Sequence, residues 1–115
     1  MERKNLVQDR MVFITGASSG IGKACAEHFA HLGANLIITA RRSDRLNATA
    51  TELSSKEGIK CTPFQLDVRD NEQVEGVFKN LEKEHVEVDI LVNNAGLALS
   101  SDKLQEGKVS NWDTM

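Results

Sequence analysis

The 115 residues contain no tyrosine, one proline, one tryptophan and two cysteines. Without tyrosine, no chemistry in this chain can use a phenol as acid or base. Cys25 and Cys61 have neither CxxC spacing nor a histidine pattern beside them, which excludes a zinc motif and a disulfide framework. Two reduced, partly buried thiols are expected. Apolar runs stay far short of the roughly 20 residues that a membrane span needs, and "MERKNLVQDR" lacks the apolar stretch of a secretory signal. No membrane partner and a cytoplasmic location are therefore expected. Positive charge is not in excess either: 14 Lys and Arg stand against 17 Asp and Glu, for a net charge of −3. That balance offers no broad basic surface to nucleic acid. His28, His31 and His85 match no catalytic or metal-ligating spacing, so no metal site is expected, and Trp112 reads as a packing residue.

What is present is an alternation. "MVFIT" (11–15), "NLIITA" (35–40) and "VDILV" (88–92) are β-rich and almost continuously apolar, as strands covered on both faces must be. "KCTPFQL" (60–66) is a fourth strand, and Pro63 within it cannot donate to a ladder and so argues for an edge. Between the first two strands Ile21, Ala24, Cys25, Phe29 and Leu32 recur at helical spacing, with Gly33 placed as a left-handed cap. A second helix from about Ser43 carries Leu46, Ala50 and Leu53 and stops near Gly58. A third aligns Val74, Val77, Phe78 and Leu81, with Asp70 and Gln73 as a capping box. Residues 1–115 read as one domain without internal repeat or linker. The order β-α-β-α-β-α-β predicts a parallel α/β sheet between helix layers.

One stretch costs backbone entropy that needs a reason. "ITGASSGIG" (14–22) concentrates three glycines between the first strand and the first helix. Backbone N–H groups and the positive end of the helix dipole converge there, which favours a phosphate cradle over an ordinary turn. An independent check lies about 20 residues further on, where a dinucleotide site carries an acid for a ribose 2′-hydroxyl or an arginine for a 2′-phosphate. The chain reads "TARR" (39–42), without a carboxylate in the motif to accept that hydroxyl. A guanidinium pairs with a phosphate through two charge-assisted hydrogen bonds, so Arg41 and Arg42 point to NADP.

The glycine spacing TGxxxGxG, "LDV" after the third strand and "NNAG" after the fourth together resemble the cofactor-binding half of the short-chain dehydrogenase/reductase family. The resemblance runs over almost the whole chain and implies a Rossmann-type sheet of order 3-2-1-4, the N-terminal half of a doubly wound domain. It further implies that Gly16, Gly20 and Gly22 are the cofactor-loop glycines, with Ser18, Ser19 and Ile21 lining the loop. Asp67 and Val68 would lie at the adenine, and Asn94, Ala95 and Gly96 at the ribose and nicotinamide side. Ala40 occupies the acid position of NAD-preferring members, and Arg41 the position that holds the 2′-phosphate of NADPH. Where some NADP-using members place a basic residue before the second glycine, this chain has Ser19, which leaves the preference to Arg41 and Arg42.

In that family a YxxxK tyrosine handles the proton. None exists here, so no catalytic residue is assigned, and the chain is expected to be the N-terminal half of a longer, homo-oligomeric enzyme. "SNWDTM" (110–115), with Ser110 and Asp113 spaced as a capping box, is expected to begin another helix. The region from 93 onward resembles NADP-dependent dehydrogenases of serine and small 3-hydroxy acids. That implies hydride transfer between NADP(H) and a small hydroxy or keto substrate. A 3-oxoacyl or broad carbonyl reductase of the same family stays open, as does a non-catalytic NADPH-binding or assembly module.

Overall fold

The computed structural model of the chain describes residues 6–18 and 20–94. The elements follow the expected alternation: β1 (Met11–Thr15), α1 (Gly20–His31), β2 (Asn35–Ala40), α2 (Ser43–Glu57), β3 (Cys61–Gln65), α3 (Asn71–Lys83) and β4 (Ile90–Asn93). The four strands form one sheet in the order β3-β2-β1-β4, all neighbours parallel. Parallel strands need crossovers, and here each crossover is a helix. Pro63 sits on β3 at the sheet edge, opposite Ile38.

Side chains alternate across the sheet and split the core in two. Val12, Ile14, Leu36 and Ile38 face α1 and α2, where they meet Ala26, Phe29, Ala30, Leu46, Ala50 and Leu53. Phe13, Ile37 and Leu91 point the other way, onto Val74, Phe78 and Leu81 of α3. Phe13 and Phe78 stack with ring centroids 5.3 Å apart, tying the centre of the sheet to α3. The two thiols are half-buried at the margin of the first cluster, and burial pushes the Cys61 thiol up to about 11.

Three local expectations meet a different outcome or a refinement, and a fourth holds. The α1 stripe is one: Ile21 is 74% exposed and Ala24 is exposed, while Gly22, Ala26, Phe29 and Ala30 form the buried face. A helix this rich in small residues packs close to the sheet through its glycine and alanines, so bulk alone misidentified the inner face. Second, β4 begins at Ile90 rather than Val88; Asp89 just before it donates its N–H to the Met11 carbonyl at 2.9 Å and accepts the Met11 N–H on its carboxylate at 2.8 Å. Third, Asp70 caps α3 as expected, accepting from the N–H groups of Glu72 and Gln73. Gln73, however, does not return to the Asp70 N–H, which instead donates to the Asp67 carbonyl. Gln73 donates to the Asp70 carboxylate and accepts from the Asp67 N–H, 3.1 and 2.9 Å, so it closes the β3–α3 turn. Fourth, the α2 terminus agrees: Gly58 adopts φ 70° and donates to the Ser54 carbonyl. Gly33 likewise lies at φ 86° after α1. The expected helix at 110–115 lies outside the described residues. Among the described residues no helix is long and apolar enough to cross a membrane.

Candidate functional site

The described residues of all four motifs lie at one edge of the sheet, where parallel strands end and helices begin. The first glycines are required by conformation. Gly16 and Gly20 have φ of 64° and 60°, a region that L side chains rarely enter, and the space around a Cβ on Gly20 is empty. Gly22 is required by space. A Cβ there would lie 2.0 Å from the Gly16 oxygen and 2.7 Å from Asn94 Nδ2. Gly22 therefore lets α1 seat against the loop, and its missing side chain opens no room in front of the loop.

Two hydrogen bonds fasten this loop to the sheet, and a third ties the strand before it to β4. Ala17 N–H donates to the Thr39 carbonyl at 2.9 Å, linking the loop to the end of β2. Asn94 Nδ2 donates to the Gly16 carbonyl at 3.1 Å, linking it to the end of β4. Thr15, fully buried, donates to Asn93 Oδ1 at 3.2 Å, so the two asparagines of "NN" both brace β1 and its loop. Neither is a mere turn residue. No acid stands in the first turn of α1, so nothing negative opposes an anion at its N-terminus. Ser18 is half-buried and Ile21 exposed on the same loop.

Arg41 and Arg42 follow β2 and are exposed, with Arg42 at the N-cap of α2 in extended conformation and without a side-chain cap. β2 and β3 are paired at Ala40 and Gln65; the Leu66 N–H donates to the Ala40 carbonyl at 2.8 Å and Gln65 Nε2 to the Arg41 carbonyl at 2.9 Å. The fold thereby supplies what the "TARR" motif lacks: a carboxylate, Asp67, beside Arg41. That carboxylate is gripped by Arg69. The Arg69 Nε and Nη2 donate to Oδ1 and Oδ2 at 3.1 and 3.0 Å, and its backbone N–H adds a 2.9 Å bond to Oδ1. This grip holds the Asp67 carboxyl down at about 2, with a smaller contribution from the charge of Arg41. Val68 is buried in the α3-side core.

Of the residues singled out in the sequence, Gly16, Ser18, Gly20, Ile21, Gly22, Arg41, Arg42, Asp67, Val68 and Asn94 gather at this edge. Ser19, Ala95 and Gly96 lie outside the described residues. Sequence reasoning missed Arg69, although its place two residues after an acid in a short turn was a usable signal. It also assigned Gln73 to a cap alone, because a bond to the Asp67 backbone depends on how the turn closes.

The family model for short chain dehydrogenase matches residues 10–115. The chain belongs to that family. The NADP-dependent 3-hydroxy acid dehydrogenase of Schizosaccharomyces pombe is 42% identical over 107 residues, 92% of this chain and 41% of that one. Sulfoacetaldehyde reductase 2 of Chromohalobacter salexigens is 44% identical over 105 residues, 91% of this chain and 41% of that one. Among solved structures, the chain is similar to L-sorbose reductase from Gluconobacter frateurii, complexed with NADPH and L-sorbose. There the TM-score is 0.74 and the identity 41%, over 79% of this chain and 35% of that one. The chain thus spans about two fifths of the length of the curated relatives it matches.

Proposed function

We propose that the chain is the NADP(H)-binding part of an oxidoreductase that moves hydride between NADP(H) and a small hydroxy or keto compound, with 3-hydroxy acids the favoured class. One observation carries the reading: a glycine loop with two left-handed residues, an acid-free helix N-terminus and the exposed Arg41 share one edge of the sheet. Such an edge fits a pyrophosphate at the loop and a 2′-phosphate at the arginines. The named activities of the relatives support the substrate class, since all three act on small hydroxy, aldehyde or keto compounds.

In this reading residues 16, 18–22 and 94–96 line the pyrophosphate, ribose and nicotinamide, Asp67 and the Val68 backbone face the adenine, and Arg41 with Arg42 read the 2′-phosphate. When bound, the dinucleotide supplies the hydride. The chain's own contribution is binding and orientation: Asn94 and Ala17 hold the loop in shape, and the arginines set cofactor choice. Proton transfer typically contributes 10²- to 10⁴-fold to such a reaction, and no tyrosine among the 115 residues can provide it. A second reading is an NADPH-binding module without turnover. The whole protein is read as a cytoplasmic homo-oligomer.

Titration with NADPH and NADH at fixed ionic strength tests the reading. A charge-assisted contact contributes about 1.5–3 kcal/mol, so Arg41→Ala should weaken NADPH binding roughly 10- to 150-fold and leave NADH almost unchanged. Equal losses for both cofactors would give Arg41 a loop-supporting role instead. Turnover of 3-hydroxy acids by the whole protein separates the enzyme from the module.

A further inference from the structure

Arg41 and Asp67 make an awkward pair for an NADP site. The paired ends of β2 and β3 bring them together: Ala40 is opposite Gln65, and Gln65 Nε2 donates to the Arg41 carbonyl. Neighbouring strands are about 4.8 Å apart, so a phosphate drawn to Arg41 comes within one or two strand spacings of the Asp67 carboxylate. Left bare, that carboxylate would repel the phosphate, and it would favour a ribose carrying a free hydroxyl. It is not bare. Both oxygens are engaged by the Arg69 fork, and the backbone N–H of the same residue adds a third bond. The Arg69 side chain is 63% exposed and its ion pair among the described residues is with Asp67. It fills no core and supports no helix.

We propose that Arg69 sets cofactor choice by neutralising Asp67, so that the acid the fold brings beside Arg41 does not repel a 2′-phosphate. Arg69 is a positioning residue that acts through Asp67, and its role rests on the NADP reading of the same edge. Its effect belongs to charge and not to shape. Removing it exposes a negative charge near the phosphate, and adding salt screens that charge.

The test is the ratio of NADH to NADPH dissociation constants, measured by reduced-nicotinamide fluorescence on the whole protein, because any change in the adenine contact common to both cofactors cancels in it. Arg69→Met should lower the ratio ~3- to 10-fold, the size expected for one unscreened like charge in a surface environment. Arg69→Lys keeps the charge and should hold most of the ratio. Asp67→Asn added to Arg69→Met removes the repelling charge and should restore it. At high salt the deficit of Arg69→Met should shrink. If the wild-type protein prefers NADPH and Arg69→Met keeps the same ratio, the proposal falls while the NADP reading stands. An equal drop in Arg69→Lys, or no recovery in the double variant, also overturns it. A wild-type protein without preference for NADPH overturns both.

Discussion

Replacing Gly22 by alanine adds one methyl group at the most crowded point of the site. The added carbon would lie 2.0 Å from the Gly16 oxygen, 2.7 Å from Asn94 Nδ2 and 2.8 Å from the Gly16 carbonyl carbon. Two of these atoms are backbone, so no rotamer change relieves the clash, and α1 and the loop must separate by more than an ångström to reach ordinary contact. Overpacking of this kind costs about 1–3 kcal/mol. Displacing Asn94 endangers its 3.1 Å bond to Gly16, worth about 0.5–1.5 kcal/mol. Against these stands the helix propensity of alanine over glycine, about 1 kcal/mol in favour of the variant. The net is a loss of about 2 kcal/mol, or roughly 10 °C in Tm for a chain of this size. Gly20→Ala is the control: its Cβ meets nothing within 4 Å, and its cost is only the φ of 60°, about 1 kcal/mol. Urea unfolding followed by circular dichroism measures both. Gly22→Ala should be the less stable variant, and it should lose NADPH and NADH affinity together because the whole loop moves. A Gly22→Ala variant as stable as the wild type, or more stable than Gly20→Ala, would refute the view that this glycine serves close packing.

Two further outcomes are expected. Asp70→Ala removes both N-cap bonds of α3 and should destabilise by about 1 kcal/mol; the difference in urea midpoint reads it, and an unchanged midpoint would mean that Gln73 alone closes the turn. Acid titration follows from Asp67, whose folded value of about 2 lies below the ordinary 3.8. A depressed carboxyl stabilises fully above its unfolded value and loses that contribution as pH falls through 3.8 toward 2. The urea midpoints of wild type and Arg69→Met should accordingly differ at neutral pH, draw together as pH falls below 3.8, and converge only near pH 2. A gap that persists at the lowest pH would show that Arg69 stabilises by something other than this pair.

Strand and helix identities were legible in the sequence because period and punctuation are local. β1 and β2 needed only their continuous apolar runs, the α2 terminus needed only Gly58 in the left-handed region, and Pro63 marked β3 as an edge strand. The glycine loop could be placed as well, since a strand, a flexible turn and a helix follow one another within twelve residues of chain. Position within an element was harder to read where packing decides it. The inner face of α1 depends on how near the helix sits to the sheet, so the bulky Ile21 lies outside and the bare Gly22 inside.

The candidate site divides along the same line. From sequence alone came the loop, the arginines after β2, and the acid and asparagines after β3 and β4, each from its own motif. Their relations belong to the tertiary structure. Four strands pairing side by side decide that Asn94 reaches Gly16 and that Arg41 stands next to Asp67, although 78 and 26 residues of chain separate the members of each pair. Electrostatics acts through space, and the distance between two charges is fixed by strand register, which no local pattern of residues encodes.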